Sequence, residues 1–275
     1  MTDLHSLTMN DGHAIPRIGF GVFLVPEAQT RDAVSTALEA GYRHIDTAAI
    51  YHNEAAVGRA LADSGLDRDD VFVTTKLWNS DQGRDSARPA LEASLERLGL
   101  DHVDLYLIHW PTPRRDLYVQ TWEALQELQQ EGLTRSIGVS NFLPEHLHRI
   151  ADLGGALPAL NQVELHPTLQ QRDIQEADTQ LGILTQAWSP LGRGADLEIP
   201  AIDLIATRLG TSPAQVILAW HLARGRLVVA KSVTPSRIRE NLSAADLVLE
   251  ESDLDTLDAL EAGVRIGPDP TTFTE

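Results

Sequence analysis

Short apolar runs alternate with amphipathic stretches along almost the whole chain. Ile18–Gly21, Arg43–Asp46, Val71–Thr75, Val103–His109, Ser136–Val139, Leu160–Val163, Ile183–Trp188 and Leu227–Ala230 have the length and apolar content of buried strands. Between them, apolar residues recur at helical spacing over Ala28–Ala40, Glu54–Asp63, Ser86–Leu98, Leu117–Glu131 and Ile202–Leu209. Gly41, Gly65, Gly99, Gly132 and Gly182 stand where helices would stop in a left-handed cap. Strands alternating with helices through eight rounds, with no break in composition, predict an α/β fold of the (β/α)8 or TIM-barrel type, a single domain over residues 1–275.

Three additions to the barrel are expected. Residues 1–15 should hold a β-hairpin, Leu4–Ile15, turning at Asn10-Asp11-Gly12. An extra helix, Pro213–Ala223, precedes the last strand. A final helix, Ser252–Ala262, would open on a serine N-cap and close before Gly263, leaving residues 263–275 as a tail. A doubly wound dinucleotide fold is the rival architecture. It is weakened by Leu24, which stands where a G-x-G-x-x-G fingerprint begun at Gly19 and Gly21 needs its third glycine.

Charge narrows the partners. With 22 basic and 40 acidic residues the net charge is −18, which repels nucleic-acid backbones and anionic lipid, so neither is an expected partner. The N-terminus has neither the basic start nor the apolar run of a signal peptide, and no apolar stretch nears the roughly 20 residues of a membrane span. The reading is a cytoplasmic monomer acting on a small molecule. The chain has no cysteine, hence no disulfide or thiolate chemistry. Among ten histidines there is no H-E-x-x-H, and His146 and His148 face different sides of a helix, so no metal site is expected. Of the 22 basic residues only Lys76 and Lys231 are lysine. Lysine is a compact point charge whose pKa shifts readily, so these two positions attract notice.

Both lysines fall at strand ends, where barrels carry their chemistry. Asp46, Lys76 and His109 close three successive strands, and Tyr51 follows the first of them. Singly these would be a helix cap, a packing residue, a surface cation and a core histidine. Together they suit proton delivery to an oxygen. The lysine would lower the phenol pKa, the aspartate would keep the lysine charged, and a neutral histidine would orient a carbonyl. Lys231, Ser232, Thr234 and Arg237, after the last strand, form the positive island that an anionic ligand would need, and suit a phosphomonoester such as a ribose 2′-phosphate or a sugar phosphate. Phe23, Trp78 and Trp110 fall just past strand ends and would wall a substrate pocket.

These residues sit in motifs that together resemble the aldo-keto reductases along most of the chain: Gly41-Tyr-Arg-His-Ile-Asp-Thr-Ala48 with Tyr51-His-Asn-Glu54, Thr75-Lys-Leu-Trp78, Asp104-Leu-Tyr-Leu-Ile-His-Trp-Pro111, Gly138-Val-Ser-Asn-Phe142, Asn161-Gln-Val-Glu-Leu-His-Pro167 and Lys231-Ser-Val-Thr-Pro-Ser-Arg237. Trp78-Asn79, His109-Trp-Pro-Thr-Pro113, Leu133-Thr-Arg-Ser-Ile-Gly138 and Trp188 in Ala187-Trp-Ser-Pro190 are most similar to the bacterial 2,5-diketo-D-gluconate reductases of that family. The resemblance implies NADPH bound without a Rossmann fold, with its hydride passing to a small carbonyl substrate (an α-dicarbonyl or keto-sugar) as Tyr51 protonates the oxygen. It further implies that Ser140, Asn141 and Gln162 hold the carboxamide and that Trp188 stacks on the nicotinamide. Ser189, Leu191 and Gly192 would line the pyrophosphate. Lys231, Ser232, Val233, Thr234 and Arg237 would take the 2′-phosphate end, and Glu240 and Asn241 the adenine. Two departures stand out: Ala230 replaces the family's proline before the lysine–serine pair, and Arg193–Pro200 is short and atypical. Alternatives are an NADPH-binding redox-sensing subunit with slow turnover, and an isomerase or aldolase barrel using Lys76 as a Schiff-base nucleophile.

Overall fold

In the computed structural model, which describes residues 6–274, eight parallel strands close into a barrel. Ahead of it, β1 (Ser6–Thr8) and β2 (Ala14–Pro16) pair antiparallel, with Leu7 opposite Ile15, as the expected hairpin; Leu4 and His5 lie outside the described residues. The barrel strands are β3 (Ile18–Gly21), β4 (His44–Asp46), β5 (Phe72–Leu77), β6 (Val103–Ile108), β7 (Thr134–Ser140), β8 (Leu160–Glu164), β9 (Leu184–Trp188) and β10 (Leu227–Ala230). They lie in sequence order, and β10 closes the ring onto β3.

The surrounding helices are α1 (Glu27–Ala40), α2 (Glu54–Asp63), α3 (Arg84–Leu98), α4 (Tyr118–Gln130), α5 (Pro144–Ala151), α6 (Arg172–Gln180), α7 (Pro200–Leu209), α8 (Pro213–Ala223), α9 (Pro235–Ser243) and α10 (Glu251–Asp258). Proline opens α5, α7, α8 and α9, where its missing N–H costs no hydrogen bond. The extra helix α8 begins as expected, with Ser212 Oγ accepting the Gln215 amide. Gly41 and Gly99 are left-handed caps of α1 and α3, while Gly65, Gly132 and Gly182 lie one residue beyond the caps of α2, α4 and α6.

Two boundaries differ from the sequence reading for identifiable reasons. The last helix is capped by Glu250 rather than Ser252, because the Glu250 amide donates to Asp253 Oδ2. It also stops at Asp258, well short of Ala262: the carbonyls of Leu257 and Asp258 are taken by Gln170 Nε2, and that of Asp258 by Arg172 as well. Side chains of another segment thus replace the next helical turn.

Two apolar cores follow from the alternation of strand side chains. Outward residues such as Phe20, Ile45, Val73, Tyr106 and Ile108 pack against the helices. Inside the barrel, Phe72, Leu105, Leu107, Leu160 and Leu227 meet Met9 and Ile15 of the hairpin segment, which plugs the floor. Above this floor the interior turns polar, where His44 Nε2 lies 3.0 Å from Thr74 Oγ1. Asp46 and Lys76, two residues further along the same strands, occupy the next layer up. Among the described residues, no helix is long and apolar enough to cross a membrane.

The α2–α3 contact has no spare room. A Cβ on Gly58 would lie 2.2 Å from the carbonyl oxygen of Leu98. Gly58→Ala is therefore expected to destabilise the fold by about 2 kcal/mol, lowering Tm by several degrees in a thermal melt. An unchanged Tm would mean the two helices separate freely.

Candidate active site

The polar end of the barrel interior is built around one ion pair. Lys76 is fully buried, and its Nζ donates to Asp46 Oδ1 at 2.5 Å and to the Thr47 carbonyl at 2.9 Å. The other oxygen of Asp46 accepts from Gln162 Nε2 at 2.8 Å. Burial pulls the Lys76 pKa below its ordinary value, and the Asp46 carboxylate opposes that fall.

Tyr51 ends a 3-10 turn, Ala49–Tyr51, after β4. The turn is held from below by Asn53, whose amide accepts from Thr47 Oγ1 and donates to the Val22 carbonyl. Lys76 Nζ lies 5.3 Å from the centroid of the Tyr51 ring, and the His109 ring stands edge-on to it at 5.6 Å. The phenol departs from the sequence expectation. Burial, reinforced by the Asp46 charge, holds the Tyr51 pKa well above its ordinary value, so the ammonium does not turn the resting residue toward phenolate. His109, one residue past β6, is held neutral far below the usual histidine range, first by burial and then by the Lys76 charge. The site therefore gathers a protonated phenol, a neutral imidazole and a buried ammonium.

The residues assigned to the carboxamide line up on neighbouring strands, and their amide donors are already engaged. Ser140 Oγ donates to the Gln162 carbonyl, while Asn141 Nδ2 donates to the His109 carbonyl and to Ser140 Oγ. Gln162 Nε2 divides between Asp46 and Gln186 Oε1. What these residues retain for a ligand is acceptor capacity. Trp188 Nε1 donates to Asn141 Oδ1 at 2.8 Å, which fixes the indole at the end of β9. Ser189, Leu191 and Gly192 follow it, and Gly192 opens a kinked 3-10 segment, Gly192–Glu198.

After β10, Ser232 Oγ accepts the Thr234 amide, and Thr234 with Pro235 opens α9. Lys231, Val233, Thr234 and Arg237 are exposed, whereas Ser232 and Asn241 are buried and Glu240 is half-buried. Among the described residues neither Lys231 nor Arg237 has an ion-pair partner, although the chain is strongly acidic. Two free cations beside a helix N-terminus fit a phosphate.

Phe23 packs on Tyr51 with ring centroids 5.1 Å apart, and Trp78 stands edge-on to His109 at 5.2 Å. Trp110 meets a residue the sequence reading left unassigned: Phe273, in the tail, at 4.5 Å, with Trp78 6.3 Å from the same ring. Nothing in its local sequence, Pro270-Thr-Thr-Phe273, marks it. Only the return of the tail across the rim brings it there. Also unassigned were Glu164, His166 and Asp196, which form a buried cluster beside Trp188.

A profile described as the Aldo/keto reductase family matches residues 17–262. An aldo-keto reductase of Mycobacterium sp. (strain KMS) is 51% identical over 267 residues, 97% of each chain. A protein of Yersinia pestis named methylglyoxal reductase DkgA is 48% identical over 277 residues, 99% of each. Among solved structures, a Gox0644 mutant in complex with NADPH superposes with a TM-score of 0.94 at 44% identity, covering 98% of both chains.

The ion pair makes a direct prediction. In Asp46→Asn the buried ammonium loses its counter-charge, which is expected to cost about 3–5 kcal/mol unless Lys76 sheds its proton. Thermal melts should show a lower Tm at pH 6, with part of the loss recovered at pH 9, where the neutral amine is the easier form. A pH-independent difference would mean that the pair contributes by shape alone.

Proposed function

The chain belongs to the aldo/keto reductase family and is an NADP-dependent oxidoreductase, and on that premise we propose that it reduces small aldehydes and ketones, α-dicarbonyls or keto-sugars, with Tyr51 as the general acid. The observation that carries this reading is the buried Lys76–Asp46 pair under the Tyr51 ring, with neutral His109 beside it.

The phenol rests fully protonated and so is loaded with the proton that a carbonyl oxygen must receive. As that proton leaves, negative charge develops on the Tyr51 oxygen near an ammonium that is already in place and shielded from water. Electrostatic stabilisation of this kind acts on the transition state rather than on the resting enzyme. It also reconciles the raised resting pKa with a role as acid. His109, being neutral, has one N–H to offer, and directs it at the substrate oxygen. Phe23, Trp78, Trp110 and Phe273 exclude water and suit a flat, compact carbonyl compound.

NADPH, when bound, supplies the hydride for the carbonyl carbon. This chain would hold it with Trp188 against the nicotinamide, with Ser140, Asn141 and Gln162 at the carboxamide, and with Ser189, Leu191 and Gly192 along the pyrophosphate. Lys231, Ser232, Val233, Thr234 and Arg237 would take the 2′-phosphate, and Glu240 and Asn241 the adenine. The unpaired Lys231 and Arg237 support that end of the assignment. A Schiff-base role for Lys76 is disfavoured, because its nitrogen is fully buried and committed to two oxygen acceptors.

The test is NADPH consumption with methylglyoxal, 2,5-diketo-D-gluconate and an aromatic aldehyde. The wild-type protein should consume NADPH with at least one of them. Tyr51→Phe should lose about 10²–10⁴-fold in kcat, the usual contribution of a positioned acid, while binding NADPH with unchanged Kd. Turnover that survives in this variant removes Tyr51 from the mechanism, and tight binding with no wild-type turnover favours the redox-sensing alternative. In Arg237→Ala, NADPH affinity should fall about tenfold for the loss of one charge-assisted contact, with NADH affinity unchanged. Equal weakening of both cofactors would take Arg237 off the 2′-phosphate.

A further inference from the structure

Just past β8 the chain buries a charged cluster that the proton-transfer site does not use. His166 is fully buried, with Nδ1 2.9 Å from Asp196 Oδ2 and Nε2 3.2 Å from Glu164 Oε1. Nδ1 also lies 3.1 Å from Thr168 Oγ1, but that hydroxyl directs its own proton to Asp196 Oδ1; the two carboxylates only accept hydrogen bonds, so both ring nitrogens must carry protons for both bonds to form. The imidazolium is the form this geometry fits.

Each carboxylate anchors a different segment. Asp196 belongs to the turn Gly192–Glu198 and also accepts from Thr168 Oγ1 at 2.9 Å. Glu164 accepts the backbone amides of Ile266 and Gly267 at 2.6 and 2.8 Å. The tail they belong to is tied again through the Thr168 carbonyl, which accepts the amides of Ala262 and Val264. Gly267 then lies against the Trp188 indole so closely that a Cβ there would sit 2.4 Å from the ring. Six residues further on, the same tail presents Phe273 to Trp78 and Trp110.

We propose that His166 is a positioning residue of this enzyme: by donating to Glu164 and Asp196 at once it clamps the Gly192–Glu198 turn and the C-terminal tail to the end of β8, and so sets how firmly NADPH is held. The proposal rests on the reading of Leu191 and Gly192 as pyrophosphate contacts and of Trp188 as the nicotinamide support. The groups facing His166 are Glu164 from β8, Asp196 from the turn and, more remotely, His221 from α8; Arg265 of the tail reaches Glu164 at 3.7 Å. Burial alone would discharge the ring, but the bonds and charges of Asp196 and Glu164 outweigh it and raise the pKa to about 8. The folded-state value lies above the ordinary histidine value, so the clamp is complete below about pH 6.5 and is lost as the pH rises through about 8. A neutral ring has one N–H for two carboxylates, and one link must open.

The NADPH dissociation rate, followed by stopped-flow fluorescence between pH 7 and 9.5, reads this directly. The wild-type rate should rise about tenfold through pH 8, the loss expected for one charge-assisted bond. In His166→Gln the rate should be high and flat across the range. A flat wild-type profile, or a step retained in His166→Gln, overturns the proposal. Hydrogen exchange on the cofactor-free protein separates the clamp from the cofactor reading. Faster exchange in His166→Gln confined to 192–198 and 264–268, with NADPH dissociation unchanged, would preserve the clamp and overturn the pyrophosphate assignment. No local change in exchange overturns the clamp itself. Should His166→Gln exchange globally as an unfolded chain, Asp196→Asn serves instead: removing one of the two carboxylate charges should move the wild-type step to lower pH, and an unmoved step overturns the proposal.

Discussion

A lysine ammonium inside a barrel, with no access to water, has to be answered by the protein, and much of this molecule is arranged as that answer. Asp46 supplies the charge, the Thr47 carbonyl a second acceptor, and Gln162 steadies the far side of the carboxylate. Those demands propagate. Holding the Thr47 carbonyl in place fixes the turn that carries Tyr51, with Asn53 pinning it from beneath. Holding Gln162 fixes the strand that borders Ser140 and Asn141. The floor of the barrel is packed with leucine and phenylalanine and sealed by the hairpin segment, so no solvent path from below relieves the charge. The field of the ammonium thereby reaches the neighbouring phenol with little screening by water.

The same logic separates two kinds of positive charge in a chain of net charge −18. Several arginines are spent at the surface on carboxylates, as in the pairs Arg31–Asp63, Arg149–Asp116 and Arg84–Glu127, which are solvated and individually weak. Lys76 is spent inward on Asp46. Lys231 and Arg237 are left over, exposed and without ion-pair partners among the described residues, at the start of a helix. Arg239 on the same helix also has no ion-pair partner among the described residues, and the exposed cations gathered there give an anionic ligand a place to land.

The barrel was legible because its strands are continuous apolar runs with helical stretches between them, and Glu54–Asp63, Pro213–Ala223 and Leu227–Ala230 match their elements residue for residue. Helix α6 was not, since its buried face is only Ile174, Ala177 and the acid Asp178, too polar to stand out as a stripe. The four proton-transfer candidates were legible because barrels place chemistry at strand ends, a rule that converts sequence position into space. Phe273 and the Glu164–His166–Asp196 cluster were not, because each depends on where a long connection returns. Glu164 and His166 lay within a recognised motif, but their partners are a turn some 30 residues on and a tail about 100 residues on. The Tyr51 pKa departs from the sequence expectation for a related reason. Adjacency of a cation is visible in a sequence, whereas enclosure of the ring is not.

These two levels of legibility correspond to two mechanical levels in the molecule. Asp46, Tyr51, Lys76 and His109 stand on or within a few residues of barrel strands whose backbones are bonded on both sides, so their mutual geometry is as stiff as the barrel. The turn at Gly192–Glu198 and the tail from Gly263 to Phe273 have no strand to stand on. They are held by side chains and a few backbone bonds, such as that of the Val264 amide to the Thr168 carbonyl, and one imidazole with two carboxylates joins both to the end of β8. On the proposed function, in which Tyr51 passes a proton, a reductase that must admit and release a large cofactor while keeping that proton relay intact needs this division. The relay must not move when the loops do, and the loops need a tie strong enough to close yet built from hydrogen bonds that can be broken singly. A buried ion cluster at the foot of both loops meets both requirements, because its two ring bonds, to Asp196 and to Glu164, both form only while the ring carries both protons.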